Sequence, residues 1–176
     1  MSFTKHQRNM KTGKDEWLTP PRLLRALGPF DLDPCSPGEN RAPWRTASRM
    51  IALPQNGLAA PWTGRVWLNP PYGKKAPAWL AKLSQHGDGV ALVFARTDTA
   101  WFHETVFPYA DALFFLRGRL RFHHVDGSAA DNTAGAPSFL VAFGERNVQA
   151  LKELSKKGFA GAFQRVQRST PLRTAA

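Results

Sequence analysis

Asn69, Pro70, Pro71 and Tyr72 follow directly on the apolar run Val66-Trp67-Leu68. Together they make a receptor for a planar amine. The Asn69 side-chain oxygen and the Pro70 carbonyl are two hydrogen-bond acceptors close together in the chain. Two successive prolines fix φ and carry no N–H, so the Pro70 carbonyl is held with no competing donor beside it. The Tyr72 ring offers a face on which a flat heterocycle can stack. Two acceptors and a stacking face suit an amino group on an aromatic base, such as N6 of adenine. The same tetrapeptide also reads as a proline-stiffened turn after a strand, and its surroundings have to separate the two.

Those surroundings are basic. The 176-residue chain carries 24 Lys+Arg against 13 Asp+Glu, a net charge of +11. Lys5, Arg8, Lys11 and Lys14 face no acid in the first 14 residues, and Arg146, Lys152, Lys156, Lys157, Arg165, Arg168 and Arg173 dominate the last stretch. A polyanion is the natural partner, and solubilising tails are the blander reading. Lys74 and Lys75 come straight after the tyrosine, Arg96 and Thr97 follow a later apolar run, and Arg117, Arg119 and Arg121 alternate. These are candidate contacts to phosphates or guanine edges. The alternating arginines also read as the solvated face of a hairpin.

The single cysteine, Cys35, leaves no internal disulfide framework and fits a reducing cytosol. The five histidines do not fall at ligand spacing with it, so no metal is expected. No apolar stretch reaches the roughly 18 residues of a membrane span, and the first residues lack the apolar core of a secretory signal. The length suits one domain.

The elements that must position these residues alternate in type. Thr19 as N-cap, Pro20 at the first helical position and Gly28 as stop predict a short helix. Phe30–Asp33 predicts a strand running into Pro34, and Cys35 to Trp62 reads as a long irregular loop of the kind that binds something. Val66–Leu68 predicts a strand, Pro77–Leu83 an amphipathic helix, and Gly89–Ala95 a buried parallel strand. A helix over Thr99–Phe107, a strand over Ala112–Leu116, a hairpin pairing Leu120–Phe122 with Ser138–Phe143, and a helix over Asn147–Lys157 complete the reading. Residues 1–14 and 164–176 are expected to be disordered. Strands alternating with helices imply an α/β fold, a mostly parallel sheet covered on both faces with a C-terminal antiparallel hairpin. In such sheets ligands bind outside the carboxyl ends of the strands. Asp33-Pro34, Asn69–Tyr72 and Arg96–Asp98 would all open onto that edge.

Six ordered blocks carry a resemblance across roughly Asp15 to Gly144. They are Asp15–Pro20, Leu32-Asp33-Pro34-Cys35-Ser36, Asn56-Gly57-Leu58, Trp67–Gly73, Ala95–His103 with Arg117–Phe122, and Ala136-Pro137-Ser138. With them the chain resembles S-adenosylmethionine-dependent amino methyltransferases, and more closely the small phage-type DNA N6-adenine methyltransferases of the Dam group. The resemblance implies a Rossmann-like methyltransferase domain over 15–163, double-stranded DNA as substrate, S-adenosylmethionine as cofactor, a monomer, and action in the bacterial cytoplasm from a phage or prophage gene. It implies that Asp33, Pro34, Cys35 and Ser36 cradle the methionine part of the cofactor. Trp17, Thr19 and Pro20 would cover its amino-acid end, and Asn56, Gly57 and Leu58 would lie near its adenine. Two departures stand out. The loop after Asp33 lacks Gly-x-Gly, and no acid stands clearly at the end of a second strand for the ribose, Glu39 being the nearest. Without the resemblance, Asp33 reads as a loop cap and Trp17 as core packing.

The reaction implied is transfer of a methyl group to adenine N6, with the base flipped into the pocket of Asn69, Pro70, Pro71 and Tyr72. Acceptance of the amino hydrogens would favour a pyramidal nitrogen and stabilise its developing charge. No catalytic His or Cys is needed. Rival readings are N4-cytosine methylation, methylation of a protein glutamine amide, and a non-catalytic nucleic-acid-binding relative.

Overall fold

The computed structural model describes residues 16–167. The expected basic arm over 1–14 and the tail from residue 168 lie outside the described residues. Seven strands form one sheet: β1 (Leu32–Asp33), β2 (Arg49–Met50), β3 (Val66–Leu68), β4 (Gly89–Phe94), β5 (Ala112–Leu116), β6 (Ser138–Phe143) and β7 (Gly161–Arg165), in the spatial order β2-β1-β3-β4-β6-β5-β7. The helices are α1 (Pro21–Leu27), α2 (Ala76–His86), α3 (Phe107–Tyr109) and α4 (Glu145–Lys152), with a π-helical turn over Phe102–Val106 leading into α3.

Alternation along each strand sorts the apolar side chains to two faces. Trp67, Val90, Leu92, Phe114, Leu140 and Ala142 point to one core together with Leu23 and Leu27 of α1 and Val148 and Leu151 of α4. Val66, Leu68, Ala91, Val93, Phe139 and Val141 point to the other, with Leu80 and Leu83 of α2 and Phe102 of the π turn. Strands buried on both faces explain why β3, β4 and β6 read as continuous apolar runs.

The sheet is mixed rather than mostly parallel. β1 pairs in parallel with β2 and β3, and β3 with β4. The other three pairings, β4–β6, β5–β6 and β5–β7, are antiparallel. The expected hairpin partner is also corrected. β6 pairs with β4 and β5, while Leu120 and Phe122 only accept backbone bonds from Ala134 and Ala130. The final strand β7 takes in Gln164 and Arg165, which the sequence places in a disordered tail.

Local chemistry explains the shifted helix ends. Pro20, not Thr19, takes the cap position of α1, and there is no side-chain cap. The helix expected over 99–107 is present over residues 100–109, with a π turn at Phe102–Val106 inside it, in which the Phe107 amide reaches back to the Phe102 carbonyl, and Pro108 follows with no N–H to donate. α4 begins at Glu145 and stops at Lys152, short of Lys157.

At the sheet edge away from the strand ends that carry the candidate residues, a polar network locks the scaffold. Arg65 is buried and donates to the Asn147 side chain and to the Pro29 and Leu27 carbonyls. Asn147, fully buried, passes the chain of bonds to Asp88 and the Phe143 carbonyl. Every donor in it has an acceptor, the condition under which a buried polar network rigidifies a fold.

Candidate active site

β3 is buried along its whole length and stops pairing with β4 at Leu68, so Asn69 emerges from a rigid base at the carboxyl end of the strand. Its amide orientation is decided by its neighbour. The Trp17 backbone carbonyl can only accept, and Asn69 Nδ2 donates to it at 2.9 Å. Asn69 Oδ1 is thereby turned the other way, where the Tyr72 hydroxyl donates to it at 3.2 Å. The backbone carbonyl of Asn69 accepts from Cys35 Sγ at 3.2 Å. Trp17 of the N-terminal segment, Cys35 after β1 and Tyr72 after β3 are thus tied to one residue. Pro70 is buried and Pro71 half-buried beside it.

The Tyr72 ring stacks on Phe94 at the end of β4, with centroids 4.1 Å apart and planes 10° from parallel, and meets the edge of Phe122 at 6.2 Å. One face of the tyrosine is therefore backed by Phe94. Burial holds the Tyr72 hydroxyl far above its usual range, with the neighbouring Cys35 adding to the effect. Burial likewise raises the Cys35 thiol, helped by Asp33. Both groups stay protonated at neutral pH and act as donors.

Asp33 is buried at the end of β1. Its Oδ1 accepts the Cys35 amide at 3.1 Å and its Oδ2 accepts the Thr46 hydroxyl. Burial pushes its carboxyl up to about 6, against the lowering effect of those two bonds. Ser36, also buried, accepts the Gly38 amide and donates its own amide to Ile51. Asp33 therefore shapes the loop it opens, and Thr46 is a partner that no sequence signal marked.

The Asn56-Gly57-Leu58 segment packs straight onto that loop. A Cβ on Gly57 would stand 1.8 Å from the Pro34 carbonyl oxygen, so only glycine permits the approach. Exposed Asn56 accepts the Leu58 amide at 3.0 Å. Lys82 of α2 donates to the Leu58 carbonyl and, at 2.7 Å, to that of Ala60. This lysine pins the segment, and its position in a plain amphipathic helix gave no hint of it.

Thr19 is buried, and its Oγ1 has no partner among the described residues. Pro20 and Pro21 carry no N–H, so Arg22 is the first residue after Thr19 with an amide to offer. The donor left at this end is the Thr19 hydroxyl rather than a row of helix amides. The Trp17 ring lies tilted by 40° against that of His124, with centroids 5.1 Å apart, and Leu18 bonds His123 in both directions. Trp44, perpendicular to His123, likewise has its Nε1 buried without a partner among the described residues. Glu39 is committed to Arg45 at 2.8 Å. The strand β2 ends in Met50, followed by Ile51 and Ala52, so the ribose carboxylate sought from sequence has no counterpart there.

The expected DNA contacts divide into two groups. Lys74, Lys75, Arg96, Thr97 and Arg117 are exposed on segments that follow β3, β4 and β5. These strands run in the same direction, so the side chains share the edge that carries Asn69. Arg119 and Arg121 instead turn their guanidiniums onto the chain itself. Arg119 donates to the Ala134 carbonyl, and Arg121 to those of Ala130 and Asp131. They brace the 130–134 loop. Among the described residues no three His, Cys, Asp or Glu side chains gather as a metal site, and no helix is long and apolar enough to cross a membrane.

No curated protein and no solved structure matches the chain. One family model does, described as DNA N-6-adenine-methyltransferase (Dam), and it covers residues 6–160. That span includes Trp17, the Asp33 loop, Asn56–Leu58, Asn69–Tyr72 and the 117–138 segment. The chain belongs to the Dam family of DNA N-6-adenine-methyltransferases.

Proposed function

We propose that the protein transfers the methyl group of S-adenosylmethionine to N6 of an adenine flipped out of double-stranded DNA. The observation that carries this reading is the orientation of the Asn69 amide. Trp17 holds its nitrogen, so its oxygen is left as an acceptor, and the Pro70 carbonyl next in the chain would be the second. A carbonyl oxygen has two lone pairs, and the Tyr72 hydroxyl uses one. The other can accept an amino hydrogen while Pro70 accepts the second. Both bonds strengthen as the nitrogen becomes cationic, which is the condition for lowering a barrier rather than merely binding.

The residues present fit the cofactor. S-adenosylmethionine would supply an electrophilic methyl carbon. Thr19 offers the methionine end a buried hydroxyl with no partner among the described residues, and the segment from Asp33 to Ser36 would enclose that end beside Trp17 and Pro20. Asn56, Gly57 and Leu58, pinned by Lys82, would flank the adenine. No side chain has to remove a proton before attack, since the proton leaves once the nitrogen carries charge. Stacking of the base on Tyr72 would offset part of the flipping cost, about 1–3 kcal/mol per base.

Lys74, Lys75, Arg96 and Arg117 would meet the phosphates around the flipped base. The test is transfer of tritiated methyl from S-adenosylmethionine to unmethylated DNA, followed by nucleoside analysis. N6-methyladenine is expected. N4-methylcytosine, or label in protein alone, would replace this assignment by one of its rivals.

A further inference from the structure

Cys35 reads from the sequence as part of a cofactor cradle, but its thiol is committed to the other half of the site. Sγ donates to the Asn69 backbone carbonyl at 3.2 Å, while the Cys35 amide donates to Asp33 Oδ1 at 3.1 Å. Asp33 in turn accepts from the buried Thr46 hydroxyl. A chain of bonds thus runs from the loop after β1 to the residue that follows β3. Burial keeps the thiol protonated, so it has a hydrogen to give. Cys35 also packs against one of the two cores, and that structural role has to be told apart from any other.

A few torsions separate the Asn69 side-chain oxygen from the Pro70 carbonyl, and each has its own restraint. Trp17 holds the Asn69 side chain through Nδ2. The Asn69–Pro70 peptide bond is trans. The pyrrolidine ring fixes φ of Pro70, and Pro71 confines ψ of Pro70 to the extended region. Pro70 confines ψ of Asn69 only to a well about 40° wide. The bond from Cys35 to the Asn69 carbonyl narrows that well. We infer that Cys35 is a positioning residue, whose thiol sets ψ of Asn69 and with it the spacing and aim of the two acceptors that receive the target amine. The inference rests on the adenine reading above and deepens it. Because the thiol belongs to the loop that would hold S-adenosylmethionine, the same bond ties the placement of the methyl donor to that of the amine. Misplacement of reacting groups by about 1 Å can cost about 10²-fold in rate, so even a weak S–H donor matters at this point.

The experiment measures single-turnover transfer of tritiated methyl to unmethylated DNA by the full chain at saturating S-adenosylmethionine, for the wild type, Cys35→Ala, Cys35→Val and Cys35→Ser. Alanine and valine remove the donor, valine keeping the apolar bulk. Serine keeps a donor and gives up the bulk. The rate should fall about tenfold with alanine and with valine, and recover to within about threefold of wild type with serine. Cofactor affinity by calorimetry and DNA affinity by anisotropy should change by less than about threefold throughout, so that the loss lies in the chemical step. Melting temperatures identify a variant that fails to fold, and the two donor-free variants stand in for each other. A packing role would give the reverse order, serine worst and valine best, and would overturn the inference alone. So would wild-type rates in both donor-free variants, or weaker cofactor binding with an unchanged rate at saturation. Absence of any transfer to DNA by the wild type would overturn the adenine reading and this inference with it.

Discussion

The ring of Phe94 lies flat against that of Tyr72, 4.1 Å away and 10° from parallel. In the proposed reaction Tyr72 would be a platform with a fixed back, and Phe94 would act on the base through it. Tyr72→Ala should slow transfer and weaken binding of the flipped base by about 1–3 kcal/mol. Phe94→Leu should do less, by loosening the ring. Tyr72→Phe keeps the stack and releases the Tyr72–Asn69 bond, so transfer should stay within about threefold of wild type. A collapse of activity in Tyr72→Phe would mean that the hydroxyl and not the face matters.

Asn69→Ala removes the acceptor that Trp17 orients. Loss of one such transition-state bond costs about 3–4 kcal/mol, or 10²–10³ in rate. Single-turnover transfer should fall by at least that factor while DNA affinity, measured by anisotropy, stays near wild type. A parallel loss of affinity would assign Asn69 to binding instead.

Asp33 gives the apo protein a pH signature. Its carboxyl rises from 3.8 to about 6 on burial, so between those values the folded chain holds a proton that the unfolded chain has released. Stability should therefore fall as pH rises from about 4 to about 6 and stay at the lower level above, by at most about 3 kcal/mol. Asp33→Asn can still accept from the Cys35 amide and donate to Thr46. It should flatten that slope and raise the melting temperature at pH 8, while calorimetry shows weaker S-adenosylmethionine binding. An unchanged slope would show that another group titrates.

Lys82→Met keeps the aliphatic stem and removes the ammonium from the Leu58 and Ala60 carbonyls. Cofactor affinity by calorimetry should drop several-fold with DNA affinity unaltered. Equal losses for both ligands would point to general unfolding of α2.

The exposed cations at the site edge predict salt dependence. Each phosphate contact contributes about 0.9 to the slope of log affinity against log salt. Neutralising Lys74, Lys75, Arg96 and Arg117 together should lower that slope by up to about four. Arg119→Ser or Arg121→Ser should instead reduce thermal stability, since these guanidiniums hold loop carbonyls. A slope indifferent to the first four would place DNA elsewhere.

The strands were legible wherever burial on both faces left an unbroken apolar run, as in β3, β4 and β6. Asn69–Tyr72 was legible because a strand must end before a double proline, which put the tetrapeptide at the ligand edge. The antiparallel half of the sheet was not. β6 looks alike whichever way it runs, since all six of its residues are buried and no alternation marks a neighbour. Thr46, Lys82 and Phe94 carry no sequence signal for a related reason: each acts through a contact with a residue distant in sequence. The arginine alternation is visible in the sequence, but not that two of the three side chains bend back to backbone carbonyls within 15 residues.

The place of β6 has a consequence for how the chain is made. It is the sixth strand to leave the ribosome, yet it sits between the fourth and the fifth. Until residue 143 has emerged, β4 has an open edge of apolar residues, and β5 has no neighbour between it and the rest of the sheet. Such an edge invites pairing with other nascent chains. Any premature stop before Ser138 would yield a product with Asn69–Tyr72 intact in sequence and no closed sheet to hold it. Slow translation through 95–137 would prolong the exposure of β4, whereas rapid translation there would shorten it.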